Sequence, residues 1–163
     1  MRYPLPKILR KQLRFYQPLD IYTHQFLRPN ERTIEHVIPV KRIPNDKRIQ
    51  LDPSHLFITH LEMNQFRSHF RFGGYDEEEP RNEKGWKELN GSYQNRKKGV
   101  FYPRYSHRLL AHILWKMMDK YPPLRDFENH YFETTECWNQ WLQKPWTPVE
   151  KVILENNHRL LSK

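Results

Sequence analysis

The chain has little of what would place a protein outside the cell or in a membrane. Cys137 is its only cysteine, so no intrachain disulfide can form, and a reducing compartment is expected. No stretch is apolar over the roughly 20 residues that a membrane-spanning helix needs. The opening segment lacks the unbroken apolar core of a signal peptide, because Pro4, Pro6 and several basic residues interrupt it. Those early prolines, and the absence of serine there, also speak against a mitochondrial presequence. Acidic side chains are missing from residues 1–19, where Arg2, Lys7, Arg10, Lys11 and Arg14 stand unopposed. No internal repeat and no low-complexity block is present. The expectation is a soluble, intracellular protein with no membrane association.

What is present points to a folded, polar, basic protein. A length of 163 residues suits one domain with a real hydrophobic core. That single domain, 1–163, divides into a basic N-terminal arm over 1–19, a core over about 32–73 and a helical remainder over 100–163. Five tryptophans and 14% aromatic residues argue against a disordered chain, even at a mean hydropathy of -0.98. A formal charge of +9 and a pI near 9.7 favour an acidic partner. Nucleic acid comes first, ahead of an anionic membrane or an acidic protein, and a merely solvated basic surface is the alternative. Arg96-Lys97-Lys98 forms a second basic run, and Asp76 to Glu79 an acidic loop before it.

Periodicity supplies a coarse map. Ile8, Leu9, Leu13 and Tyr16 recur at helical spacing over 7–16, a short basic amphipathic helix. A turn signal at 28–31 precedes a strand that Pro39 and Pro44 close, and a basic loop, 41–48, follows. Leu56 to Thr59 reads as a second strand, with a helix beginning directly after it through Leu61, Met63, Phe66 and Phe70. Residues 73–99 are rich in Gly, Asn and charge and read mostly as loop. Leu110, Ile113, Leu114, Met117 and Met118 predict a helix over 107–120, stopped by Pro122-Pro123. Thr147 and Pro148 mark the N-cap and first position of a final helix. The class is α+β, mainly helical, with a small antiparallel sheet.

One strand is odd. Residues 32–39, RTIEHVIP, place Glu35 and His36 inside a run that otherwise favours burial. A buried charge needs a partner or a metal. A strand–strand–helix order can bring His36 opposite Asn64 on the following helix. The oxygens of Glu35 and Asn64 are hard donors that suit Mg²⁺, or Mn²⁺ and Ca²⁺. An imidazole beside such a cation can take a proton from water near neutral pH. Those parts suit metal-assisted attack on a phosphodiester. No zinc is expected, since His55 and His60 have no helical i,i+4 spacing and there are no cysteine pairs.

The segments Glu35-His36-Val37-Ile38-Pro39, Asp52-Pro53-Ser54-His55-Leu56 and Asn64-Gln65-Phe66-Arg67-Ser68-His69-Phe70-Arg71-Phe72-Gly73, in this order, resemble the bacterial endonuclease I family. Its members are non-specific nucleases with the ββα-metal fold, related in site design to HNH enzymes. Lys98 to Pro103 and the helix through Met117, Asp119 and Tyr121 look similar too, with an echo at Asn157-His158. The resemblance implies that Glu35 and Asn64 ligate the metal and that His36 is the general base. It further implies a transition-state arginine, for which Arg42 and Arg48 are the candidates, with Lys47 behind them. The chain departs from the family at Ser54, His55 and His69, where the family has His, Asn and Asn.

Lys41, Lys47, Arg67, Arg96, Lys97 and Lys98 are the candidate nucleic-acid contacts, with Arg67 alternatively a structural ion pair. The expected activity is cleavage of DNA, with RNA a further candidate, at little sequence preference. The rival is a non-catalytic nucleic-acid-binding or scaffold subunit of a larger nucleoprotein assembly. Trp138, Trp141 and Trp146 are expected to pack rather than stack on bases.

Overall fold

A computed structural model describes residues 2–74 and 85–162, and the acidic run at 76–79 lies outside these. The fold is a mixed α+β arrangement with two small sheets, and among the described residues no helix is long and apolar enough to cross a membrane.

The strands β1 (Arg32–His36) and β2 (Leu56–His60) form an antiparallel hairpin in which Glu35 faces Phe57 and His36 faces Leu56. Both sides of β2 are covered, which explains its unbroken apolar sequence. Phe57 enters the main core, whereas Leu56 and Ile58 join Leu13, Leu27 and Leu160 in a second cluster. That second cluster docks helix α1 (Lys7–Tyr16), through its one buried residue Leu13. The helix expected within the basic arm is therefore docked on one side, through Leu9, Leu13 and Tyr16, while Ile8 and Phe15 stay exposed beside its charged residues.

Between the two strands, the basic loop contains the one-turn helix α2 (Lys47–Gln50), whose N-cap Asp46 accepts a hydrogen bond from the Arg48 amide. Helix α3 (Leu61–Arg67) starts at the end of β2, where the His60 side chain caps it, and packs on both strands.

The reading of 73–99 as mostly loop is corrected within its described part. Strands β3 (Arg71–Phe72), β4 (Trp86–Leu89), β5 (Ser92–Asn95) and β6 (Val100–Tyr102) form a four-stranded sheet in the order β3-β6-β5-β4. It is not wholly antiparallel as expected, because β3 runs parallel to β6. Asn90 and Gly91, with φ of 49° and 84°, make the tight turn of the β4–β5 hairpin. Positive φ at both central residues matches the twist of the flanking strands, and Asn-Gly meets that need with little strain.

Helix α4 (His107–Lys120) is the spine of the main core, burying Leu109, Leu110, Ala111, Ile113, Leu114, Met117 and Met118. Helix α5 (Thr135–Leu142), which periodicity did not reveal, packs on it through Cys137 and Trp141. Trp138 and Trp146 pack against the same core, as expected for structural tryptophans. Helix α6 (Pro148–Leu161) begins with Thr147 and Glu150 exchanging capping bonds and Pro148 at its first position.

Candidate active site

Glu35 sits on the core-facing side of β1, 4% exposed, and does not stand alone there. Its Oε2 accepts a 2.7 Å hydrogen bond from the Tyr22 hydroxyl and lies 3.0 Å from Arg67 Nη1. Arg67, at the end of α3, is wholly buried, and its guanidinium also donates to the carbonyls of Phe70 and Val37 and to the Tyr22 hydroxyl. Its planar face covers the Phe72 ring at 4.3 Å. This corrects the expectation that Arg67 contacts nucleic acid: no phosphate can reach it, and its role is the structural ion pair. Burial raises the Glu35 carboxyl, against the opposing pull of Arg67 and of the Tyr22 bond.

Tyr22 is held in turn by Asp20, whose Oδ1 accepts from the backbone of Tyr22 and Thr23 and from the Thr59 hydroxyl. Oδ2 of Asp20 accepts from the His60 backbone, so the 20–23 turn is fastened to β2. Aspartate is suited to such a turn because its short carboxylate reaches amides two and three residues ahead.

His36 follows on the strand, 6% exposed. Burial lowers its imidazole pKa to about 3, with the charges of His55 and Arg2 acting in the same direction and a backbone hydrogen bond at Gln50 opposing them. The ring is therefore neutral at physiological pH and carries a free lone pair. Its neighbour His55 meets it edge-to-face at 5.5 Å and bonds the Ile49 carbonyl through Nε2 at 2.9 Å.

Glu35, His36 and Asn64 line one polar cavity of about 270 Å³, together with Arg2, Lys41, Ser68 and His69. Asn64 donates Nδ2 to the Ile34 carbonyl at 3.3 Å, which anchors α3 to β1 and leaves the amide oxygen uncommitted. Both bonds to the Glu35 carboxylate are made at Oε2, so Oε1 is uncommitted as well. An anionic oxygen and a neutral amide oxygen on one polar cavity fit a hard divalent cation. Among the described residues no three His, Cys, Asp or Glu side chains cluster for a metal. The fit therefore rests on one carboxylate and one amide.

The cavity mouth is basic. Arg2 and Lys41 stand in its lining, and burial lowers the His69 imidazole there, with the charges of Lys41, Arg42, Arg96 and the buried Arg67 acting in the same direction. Arg42 donates Nε to the His69 carbonyl at 2.7 Å and is not one of the residues that line the cavity. Arg96, Lys97 and Lys98 occupy the exposed turn between β5 and β6, with Arg96 over the Phe70 ring at 5.8 Å. Ser68, which ends α3 with φ of 53°, is a strained non-glycine residue in the cavity wall.

Two of the expected contacts lie elsewhere. Arg48 forks onto Asp46, with Nη2 2.9 Å from Oδ2, and with Lys47 lines a separate depression beside Lys120 and Tyr121. Arg48 does not share the cavity with His36, which corrects its expected role. Sequence reasoning missed Tyr22, which leaves no local signature because it meets Glu35 through the fold. It also missed Arg2 as a wall of the cavity.

Compared with protein-family models, with curated proteins and with solved structures, the chain matches none.

Proposed function

We propose that the protein is a metal-dependent endonuclease of the ββα-metal type, similar in site design to the bacterial endonuclease I family, that hydrolyses DNA with little sequence preference. RNA is a further candidate substrate. The observation that carries this reading is the convergence of Glu35, His36 and Asn64 on one polar cavity with a basic mouth.

Glu35 Oε1 and Asn64 Oδ1 would hold a Mg²⁺ ion, with Mn²⁺ or Ca²⁺ as alternatives. Bound there, the cation supplies charge stabilisation to the phosphate and to the departing oxygen. Arg67 and Tyr22 fix the carboxylate so that one oxygen faces the cavity. His36, neutral and buried, takes the proton from an attacking water as its oxygen bonds to phosphorus. The bond from phosphorus to the 3′ oxygen then breaks, and that oxygen takes a proton from solvent, leaving 5′-phosphate and 3′-hydroxyl ends. A pKa near 3 makes His36 a weak base in the free protein, but an arriving phosphate brings negative charge beside it and raises its basicity. Lys41 and Arg96 hold the backbone electrostatically without reading bases, which fits low sequence preference.

Purified protein incubated with plasmid DNA and with labelled RNA, under Mg²⁺, Mn²⁺ or EDTA and beside His36→Ala, tests the reading. Cleavage that requires metal and drops by about 10² or more in the variant is the expected result. Binding without cleavage in every metal, unchanged by the substitution, leaves a non-catalytic nucleic-acid-binding subunit instead.

A further inference from the structure

Phosphodiester cleavage calls for a cation on the non-bridging oxygens as charge develops, and neither expected arginine occupies the cavity. Arg48 is spent on Asp46 at a separate depression. Arg42 is bonded to the His69 carbonyl and does not line the cavity.

A different arginine does line the cavity with Glu35, His36 and Asn64, and it comes from the segment ahead of α1. We infer that Arg2 is the residue that grips the scissile phosphate, an assignment that rests on the nuclease reading.

The segment that carries Arg2 is fastened at several points. The Tyr3 amide donates to Gln50 Oε1 at 3.1 Å, and Gln50 is the residue whose backbone bonds His36. Leu5 packs into the cluster of Leu13, Leu56 and Ile58 beneath the hairpin. Pro4 and Pro6 restrict the chain between them, and Pro6 is extended at φ -55° and ψ 142°. Helix α1, docked by Leu13, holds the far end. Arg2 is thus positioned by the same elements that position the base.

Its guanidinium is also available. Arg2 is exposed and, among the described residues, donates no hydrogen bond and forms no ion pair. It is close enough to His36 for its charge to lower the imidazole pKa. A planar fork of donors beside a base matches two oxygens of one phosphate, which a point charge such as Lys41 matches less well.

The test compares wild type with Arg2→Ala, Arg2→Lys and Lys7→Ala, the last removing a basic residue that does not line the cavity. A short end-labelled DNA strand serves for steady-state kinetics in Mg²⁺ and for binding in EDTA over a range of NaCl concentrations. The expected result is a loss of about 10–100-fold in kcat/KM for Arg2→Ala, mostly in kcat, with partial recovery in Arg2→Lys. The slope of log affinity against log salt should also fall by about 0.7, one phosphate contact on a single strand. Lys7→Ala should leave kcat unchanged.

A wild type that cuts, with Arg2→Ala equal to it in kcat, overturns this inference alone, whatever the salt slope does. A wild type that binds without cutting overturns the nuclease reading and the scissile-phosphate assignment together.

Discussion

Arg67 Nη1 stands 3.0 Å from Glu35 Oε2, with the Arg67 side chain wholly buried and that of Glu35 nearly so. That contact explains how an apolar strand can carry a carboxylate. The guanidinium is protonated at any physiological pH, so it supplies the counter-charge that the protein interior otherwise lacks. It also takes up one carboxylate oxygen, with Tyr22, and leaves the other to the cavity. The fold and the proposed site therefore depend on the same ion pair.

Arg67→Met should cost about 3–5 kcal/mol, because it leaves Glu35 buried and unpaired. Urea unfolding at neutral pH measures this as a lower midpoint. Adding Glu35→Gln should cost less than the sum of the single changes, since both remove the same interaction. Strict additivity of the two would contradict the coupling. Arg96→Ala, on an exposed turn, should change stability by no more than about 0.5 kcal/mol while weakening DNA binding.

The parts of this architecture that were legible in the sequence are those set by local pattern. The spacing of Leu110, Ile113, Leu114 and Met117 gives helix α4 at its observed bounds, and Thr147-Pro148 gives the start of α6. The strand–strand–helix order could be read because β2 and α3 are contiguous and each has its own period. Strands β4 and β5 were hidden by composition, since Lys87, Glu88 and Gln94 outweigh the apolar residues between them. The turn at Asn90-Gly91 was the available signal. Arg67 could not be assigned from sequence, because charge suggests a surface and only the fold shows Tyr22, Glu35 and Val37 converging on it. Arg2 was read as part of a basic stripe for the same reason.

The hairpin turn gives its own prediction. Gly91 has φ of 84°, and a Cβ added there would stand 2.6 Å from Arg104 Cδ. Gly91→Ala should cost about 1–2 kcal/mol, mainly from the left-handed backbone, because the Arg104 side chain can swing aside. Thermal unfolding measures this. A neutral effect would show that the turn relaxes to another type.

Stability should fall with acid earlier than carboxylates alone would cause. Burial holds the His55 imidazole pKa at about 4, against 6.5 for an ordinary histidine. The unfolded chain therefore takes up a proton that the fold excludes. The contribution of neutral His55 is complete above pH 6.5 and is lost as pH falls toward 4, on the order of 3 kcal/mol in all. His107, lowered by burial to about 4, adds to the same window. Asp52 enters later: burial works to raise it, but bonds from Lys120, Tyr121 and Ser54 bring it to about 2, so its share is lost only below 3.8. Melting temperatures from pH 8 to pH 4 should decline through this range, and His55→Gln should flatten the decline. An unchanged slope in the variant would show that His55 is not the group responsible.

The pH dependence of cleavage separates His36 from the other imidazole in the cavity wall. An exposed histidine acting as base gives an acid limb in kcat/KM near 6.5, where the free enzyme takes up its proton. Burial first, and then the charges of His55 and Arg2, hold His36 at about 3, so its base form persists far below that point. Activity in saturating Mg²⁺ should therefore stay level from pH 8 down through 6.5. It should decline only where protonation of Glu35 begins to release the metal. His36→Ala should lower the whole profile by about 10² or more without moving the limb. His69 is the competitor, being in the same wall and more open to solvent. An acid limb that vanishes in His69→Ala, with His36→Ala still active, would transfer the role of base to His69, whose imidazole is lowered by burial and the neighbouring cations.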